Sequence, residues 1–257
     1  TDFTPVGGLS GDRDTGAAQA TTECLRRNGI TTVIGDRTLP LLYVDEMQAA
    51  GIHVVLDPDM GVTDRRVKDD EEIAHLRHAQ KVTEQAMRMA CETVAHATAD
   101  SDGVLHVDNE VLTSERLRTM IDTFLLERHF YNPPCIVAGG SDGGDCHELG
   151  SGPLRTGEPV IIDIFPLDKE SMYNGDCTRT VVHGVVSDEL QKMHTAVVEA
   201  KKSAIEATKA GISGEVVHLE TIRVLTEHGY EEGLPKEGAP STFCSMPHGT
   251  GHGIGLE

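Results

Sequence analysis

The sequence predicts a small α/β segment followed by a larger α+β domain. Helix and strand signals alternate over residues 16–57, a polar Gly- and Pro-containing stretch follows at 58–67, and beyond it strands and helices come in mixed order with hairpins. Residues 1–66 are accordingly read as part of one domain and 67–257 as a second.

In the first segment, residues 16–28 suit a helix and TTVIGD at 31–36 a strand. A second helix fits near 39–50 and a second strand, IHVVLD, at 52–57. DPDMGVTDRR then reads as a linker. A long helix runs from about Asp70 to His96, with Ile73, Leu76, Val82, Ala86, Met89 and Ala90 near helical spacing and acids in its first turn. Val111, Leu112, Leu117, Met120, Ile121, Phe124 and Leu125 mark another amphipathic helix. After Pro- and Gly-rich loops comes the strand PVIIDIF, and further helices fit near 188–209 and 214–228.

Composition excludes several classes of function. With 257 residues and 38% apolar content the chain can bury a core. Its 42 acidic against 22 basic side chains give a net charge of −20, which repels phosphate backbones and argues against nucleic acid as a partner. No apolar run approaches the roughly 20 residues that span a bilayer, so no membrane association is expected. The six cysteines are scattered without a CxxC pair, which predicts reduced thiols and a cytoplasmic protein. Because the first residue is Thr1, the chain is expected to begin inside a longer one.

Asp163 interrupts an apolar run that otherwise reads as a buried strand, and an unpaired buried carboxylate costs several kcal/mol. If residues 168–171 (DKES) form a four-residue turn, an antiparallel hairpin pairs Leu167 with Met172, Phe165 with Asn174 and Asp163 with Asp176. Two carboxylates directly opposite each other call for a shared proton or a cation between them. Thr178 and Thr180 extend the polar face of Asp176 and can support ligands. The alternative is a surface hairpin with Asp176 in solvent and Asp163 paired to Arg179.

The run MPHGTGHGIGL at 246–256 sets His248 and His252 among alternating glycines, where other groups can approach the backbone closely. It lacks the Lys-Ser/Thr ending of a phosphate loop. A Gly-rich loop with incidental histidines is the competing reading. Imidazole beside carboxylates suits Mn, Co, Zn or Fe. His147, in GGSDGGDCHELGSGPL, precedes the Asp163 strand and is a further candidate, against the reading of an exposed loop histidine. A cysteine–histidine nucleophile drawn from Cys146 or Cys244 is also open.

Taken together, IIDIFPLDKESMYNGDCTRT at 161–180 and PHGTGHGIGL at 247–256 resemble the metallopeptidases with the pita-bread fold, which include methionine aminopeptidases, Xaa-Pro aminopeptidases and prolidases. GPLRTGEPVIID at 152–163, the helix at 67–87 and KAGISGEVVHLETIRVLTEHGY at 209–230 strengthen the match, which covers nearly everything after Val67. The resemblance implies two divalent cations, manganese first, held by the carboxylates of Asp163 and Asp176 and the imidazole of His252. It places His147 and His248 where the family keeps histidines that contact substrate. Residues before 67 resemble the end of the creatinase-type N-terminal domain, which tilts the implied substrate towards peptides with proline in second position.

The implied chemistry is metal-assisted hydrolysis of an Xaa-Pro bond by a homodimeric enzyme. Two departures stand out. The hairpin is two residues longer than the family's commonest form, although an insertion of two keeps each aspartate on its face. The family's two glutamate ligands fall beyond the GHGIG segment, and the chain stops at Glu257, so it is expected to be truncated and inactive as it stands. The rival functions are a catalytically inactive, peptidase-like binding module and a creatinase-like amidinohydrolase.

Overall fold

The computed structural model describes residues 3–5, 7–240 and 243–256. The chain forms two compact units, Thr1–Lys68 and Asp69–Glu257.

In the first unit, α1 (Arg13–Arg27), β1 (Thr32–Gly35), α2 (Leu41–Ala49) and β2 (His53–Leu56) follow the expected alternation, with β1 and β2 parallel. Ala18, Met47 and Ile52 are its buried apolar residues. Glu23 on α1 takes hydrogen bonds from both Arg26 and Arg27, which depress its carboxyl to about 2. The stretch expected as a linker contains a five-residue helix, α3 (Val62–Arg66). Gly61 starts it from a left-handed backbone conformation (φ 73°) that a residue without Cβ adopts at little cost.

The second unit opens with α4 (Asp70–Ala95), whose start is set by a capping box. Asp69 Oδ1 accepts from the Glu72 amide, and Glu72 Oε2 accepts from the Asp69 amide. Strands β3 (Thr98–Ala99), β4 (Leu105–Val107) and β5 (Glu110–Val111) form a small antiparallel sheet before α5 (Ser114–Leu126). The helix expected to include Val111 and Leu112 therefore starts later. Thr113 fixes that start, because its hydroxyl accepts the Arg116 amide and ends the extended run before it.

Next come β6 (Phe130–Tyr131), β7 (Ile136–Gly139), a 3-10 turn at Gly140–Gly144, β8 (Pro159–Ile164), β9 (Leu167–Asp168) and β10 (Cys177–Val182). β8 is the central strand of an antiparallel sheet in the order β10-β8-β7. Val160, Ile162 and Ile164 pack into a core with Ala86, Ala90 and Val94 of α4 and Leu117, Ile121 and Leu125 of α5. The chain continues through α6 (Asp188–Ala207), α7 (Gly214–Glu227) and the short strands β11 (Glu231–Glu232) and β12 (Ser245–Met246). Ala196 and Ala200 of α6 meet Val224 and Leu225 of α7 in a smaller cluster. Helices packed on antiparallel strands make this unit α+β, as expected.

Candidate metal centre

Asp163 lies near the end of β8, on the face opposite Ile162 and Ile164. It is half-buried, not fully buried as the apolar run suggested, because burial alternates strictly along β8. The hairpin register also differs from the expected one. Asp163 stands opposite Thr178, and Leu167 bridges Asn174.

The reason is local. Asp168 is buried and closes the turn one residue later than predicted: its carboxylate accepts the Ser171 hydroxyl (2.6 Å) and the Glu170 amide (3.1 Å). Its own amide donates to Tyr173 O, and Met172 takes the left-handed conformation (φ 63°) that this turn needs. The resulting shift is two residues, so Asp176 stays on the Asp163 face but becomes a diagonal neighbour, one step before β10. Asp163 instead receives the Thr178 hydroxyl at 2.5 Å. The alternative partner, Arg179, stands opposite Ile162 and donates to the Thr178 carbonyl.

Asp176 is placed by three contacts that sequence spacing does not reveal. Gly175 presses on α4 so closely that a Cβ there would lie 2.0 Å from Thr83 Oγ1 and 2.8 Å from Ala79 O. The Asp176 amide donates to Gln80 Oε1 (3.1 Å). The Asn174 amide and side chain both donate to Gly255 O (2.9 and 3.2 Å), which ties the Gly-rich segment to the hairpin. On its other side that segment is held by Thr250, hydrogen-bonded to His218 Nδ1 of α7 (3.0 Å), while His218 Nε2 lies 3.3 Å from Glu232.

These ties bring His252 to Asp176, with Nε2 3.4 Å from Oδ2. The other ring nitrogen of His252 contacts Gly253 O (2.8 Å). Burial, followed by the charge of Asp163, raises the Asp176 pKa, and His252 opposes that shift. A carboxylate whose ionisation is opposed by burial and by a second carboxylate, next to an imidazole, belongs to a donor set suited to a divalent cation. The 3.4 Å spacing also fits. Nitrogen and oxygen ligands roughly 2.0–2.2 Å from one tetrahedral cation stand about 3.4 Å apart.

His248 is exposed and hydrogen-bonded to the Gly249 carbonyl (2.8 Å). His147 is 90% exposed and neighbours Asp145 and Cys146. Among the described residues, neither histidine is hydrogen-bonded or ion-paired to Asp163, Asp176 or His252. Asp145, Cys146 and His147 are the group whose possible ligand atoms all lie within 4.8 Å of one another among the described residues; the Asp163, Asp176 and His252 set is looser. No described helix is long and apolar enough to cross a membrane.

Comparison with known proteins agrees with this architecture. The chain is 25% identical over 232 residues to the Xaa-Pro dipeptidase of Pyrococcus horikoshii, covering 89% of this chain and 59% of that protein. It is 26% identical over 193 residues to the Xaa-Pro dipeptidase of Pyrococcus furiosus, covering 75% and 48%. Among solved structures it resembles an X-Pro aminopeptidase from Thermotoga maritima (TM-score 0.72, 22% identity, 96% of this chain and 63% of that one). An Xaa-Pro dipeptidase from Bacillus anthracis is similar too (TM-score 0.73, 22% identity, 92% and 60%). The chain thus spans about half to three fifths of the length of these relatives. The fold of the second unit is the pita-bread fold, and the model of metallopeptidase family M24 matches residues 74–257, so the chain belongs to that family.

Proposed function

We propose that the whole protein is an aminopeptidase that hydrolyses the N-terminal Xaa-Pro bond of peptides, or Xaa-Pro dipeptides, with two divalent cations. The observation that carries this reading is the approach of His252 Nε2 to Asp176 Oδ2, beside Asp163. The family is one of metallopeptidases, and the relatives in Pyrococcus bear the name Xaa-Pro dipeptidase.

In this reading Asp163, Asp176 and His252 hold the cations, with manganese as the first candidate and cobalt, zinc and iron as alternatives. The cations supply Lewis-acid activation of water and of the scissile carbonyl. Thr178 orients the Asp163 carboxylate through its hydroxyl. Gln80 and Gly175 fix where Asp176 stands. His147 and His248, both exposed, are proposed to reach the peptide when it binds. The six free cysteines suit a reducing cytoplasm, and a homodimer is the proposed assembly.

The test is hydrolysis of an Xaa-Pro peptide by the whole protein after chelation and after manganese is restored. Activity is expected only with the metal, and it should be lost in Asp163→Asn. Equal turnover with and without chelator would overturn the reading.

A further inference from the structure

A second fastening joins the hairpin of Asp176 to α4, nearer the start of the helix than Gln80 and Gly175. Tyr173, three residues before Asp176, is buried, and its hydroxyl donates to Glu72 Oε1 at 2.8 Å. Its ring also lies against the ring of His75, with centroids 5.6 Å apart and planes at 17°. Glu72 is the capping-box residue of α4, and its other carboxylate oxygen accepts the Asp69 amide at 2.8 Å. One carboxylate, engaged at both oxygens, therefore starts the helix and holds the phenol.

Glu72, His75, Ala79 and Thr83 follow the i, i+3, i+7, i+11 spacing of a single helical face. Tyr173 meets the first two and Gly175 the last two, so the residues just ahead of Asp176 lie along this face. Glu72 and Gln80 stand eight residues apart, about 12 Å on a helix that rises 1.5 Å per residue. One fastening point fixes where a turn stands. Two separated points also fix the direction in which it runs. The hydrogen bond to Glu72, with burial adding to it, pushes the Tyr173 phenol above its ordinary pKa and so keeps it protonated as the donor.

We infer that Tyr173 is a positioning residue for the metal centre, setting the direction of Asp176 through the lock it forms with Glu72 and His75. The inference rests on the proposed reading of Asp163, Asp176 and His252 as cation ligands. Loss of the hydroxyl leaves the ring in place but lets the turn pivot about Gly175, and Asp176 then spends less time beside His252.

Manganese titration of the whole protein, with no peptide present, separates this role from packing alone. Tyr173→Phe keeps the stacked ring, and its manganese affinity should fall about tenfold. Glu72→Gln, which keeps a side-chain oxygen for the helix cap, should weaken manganese binding in the same direction. The two changes together should cost less than the product of their separate effects, because they break one contact. In metal-free Tyr173→Phe the amides of Asp176 and Cys177 should exchange with deuterium faster, while those of α5 keep their protection. Parental manganese affinity or parental exchange in Tyr173→Phe, even with a lowered unfolding midpoint, would assign Tyr173 to packing and overturn the inference while the centre stands. A parent that binds no manganese would overturn the reading of the centre, and the inference with it.

Discussion

Gln80, a helix residue 96 positions earlier in the chain, holds the main-chain amide of Asp176 with its side-chain oxygen at 3.1 Å. The hydrogen bond joins α4 to the turn that carries one carboxylate of the candidate centre. Replacing Gln80 with Ala leaves that amide unpaired at a half-buried position, at a cost of about 1–3 kcal/mol. Manganese affinity should fall with it, because the carboxylate loses its fixed origin. Calorimetric unfolding and manganese titration of the variant would check both effects, and unchanged affinity would separate Gln80 from the centre.

Gly175 makes the same joint from its other side. In Gly175→Ala the added methyl would meet Thr83 Oγ1 at 2.0 Å, so α4 and the turn must separate. Overpacking of this kind costs about 1–3 kcal/mol. A lower midpoint in urea is expected, and Thr83→Ala in the same chain should recover part of it by clearing the hydroxyl. A midpoint equal to that of the parent would show the backbone to be softer than this packing implies.

Asp168 predicts an acid-sensitive hairpin. Burial would raise its pKa, but the Ser171 hydroxyl and the amides of Glu170 and Ser171 outweigh burial and lower it. A carboxyl lowered on folding contributes stability that is present above its ordinary value of 3.8 and lost as pH falls through the folded value. Below about pH 4 the parent should therefore lose stability more steeply than Asp168→Asn, which has no such proton to take up. Parallel slopes for the two proteins would contradict this account.

His218 clasps the Gly-rich segment through Thr250 and is braced by Glu232. In His218→Ala the amides around Thr250 and Gly251 should exchange with deuterium faster, while those of α4 keep their protection. Equal exchange in the segment would mean that the Asn174 contacts to Gly255 suffice to hold it.

The helices were largely legible in the sequence because their caps are local. Asp69, Ser187 and Ser213 each cap a helix with their own side chain, and those helices begin within a residue or so of the expected place. β8 was legible from its apolar run. The hairpin register was not, since it turns on which side chain closes the turn, and Asp168 does so by hydrogen bonds that period-two alternation does not encode. The start of α5 escaped for a similar reason: Val111 and Leu112 fit a helical stripe, but Thr113 begins the helix after them.

For the candidate site, residue types and alternation singled out Asp163 and Asp176, and the resemblance to the metallopeptidases picked His252 from the histidines of the Gly-rich run. The contacts that gather them, from Gln80, Gly175, Asn174 and His218, join segments tens of residues apart, and no short-range pattern announces them.

The most direct test of the central claim is manganese binding to the whole protein by isothermal titration, with Asp176→Asn titrated alongside. Asp176 is the residue that faces both the other carboxylate and the imidazole. The account predicts saturable binding by the parent and at least about tenfold weaker binding by the variant. Identical isotherms for the two proteins would contradict it.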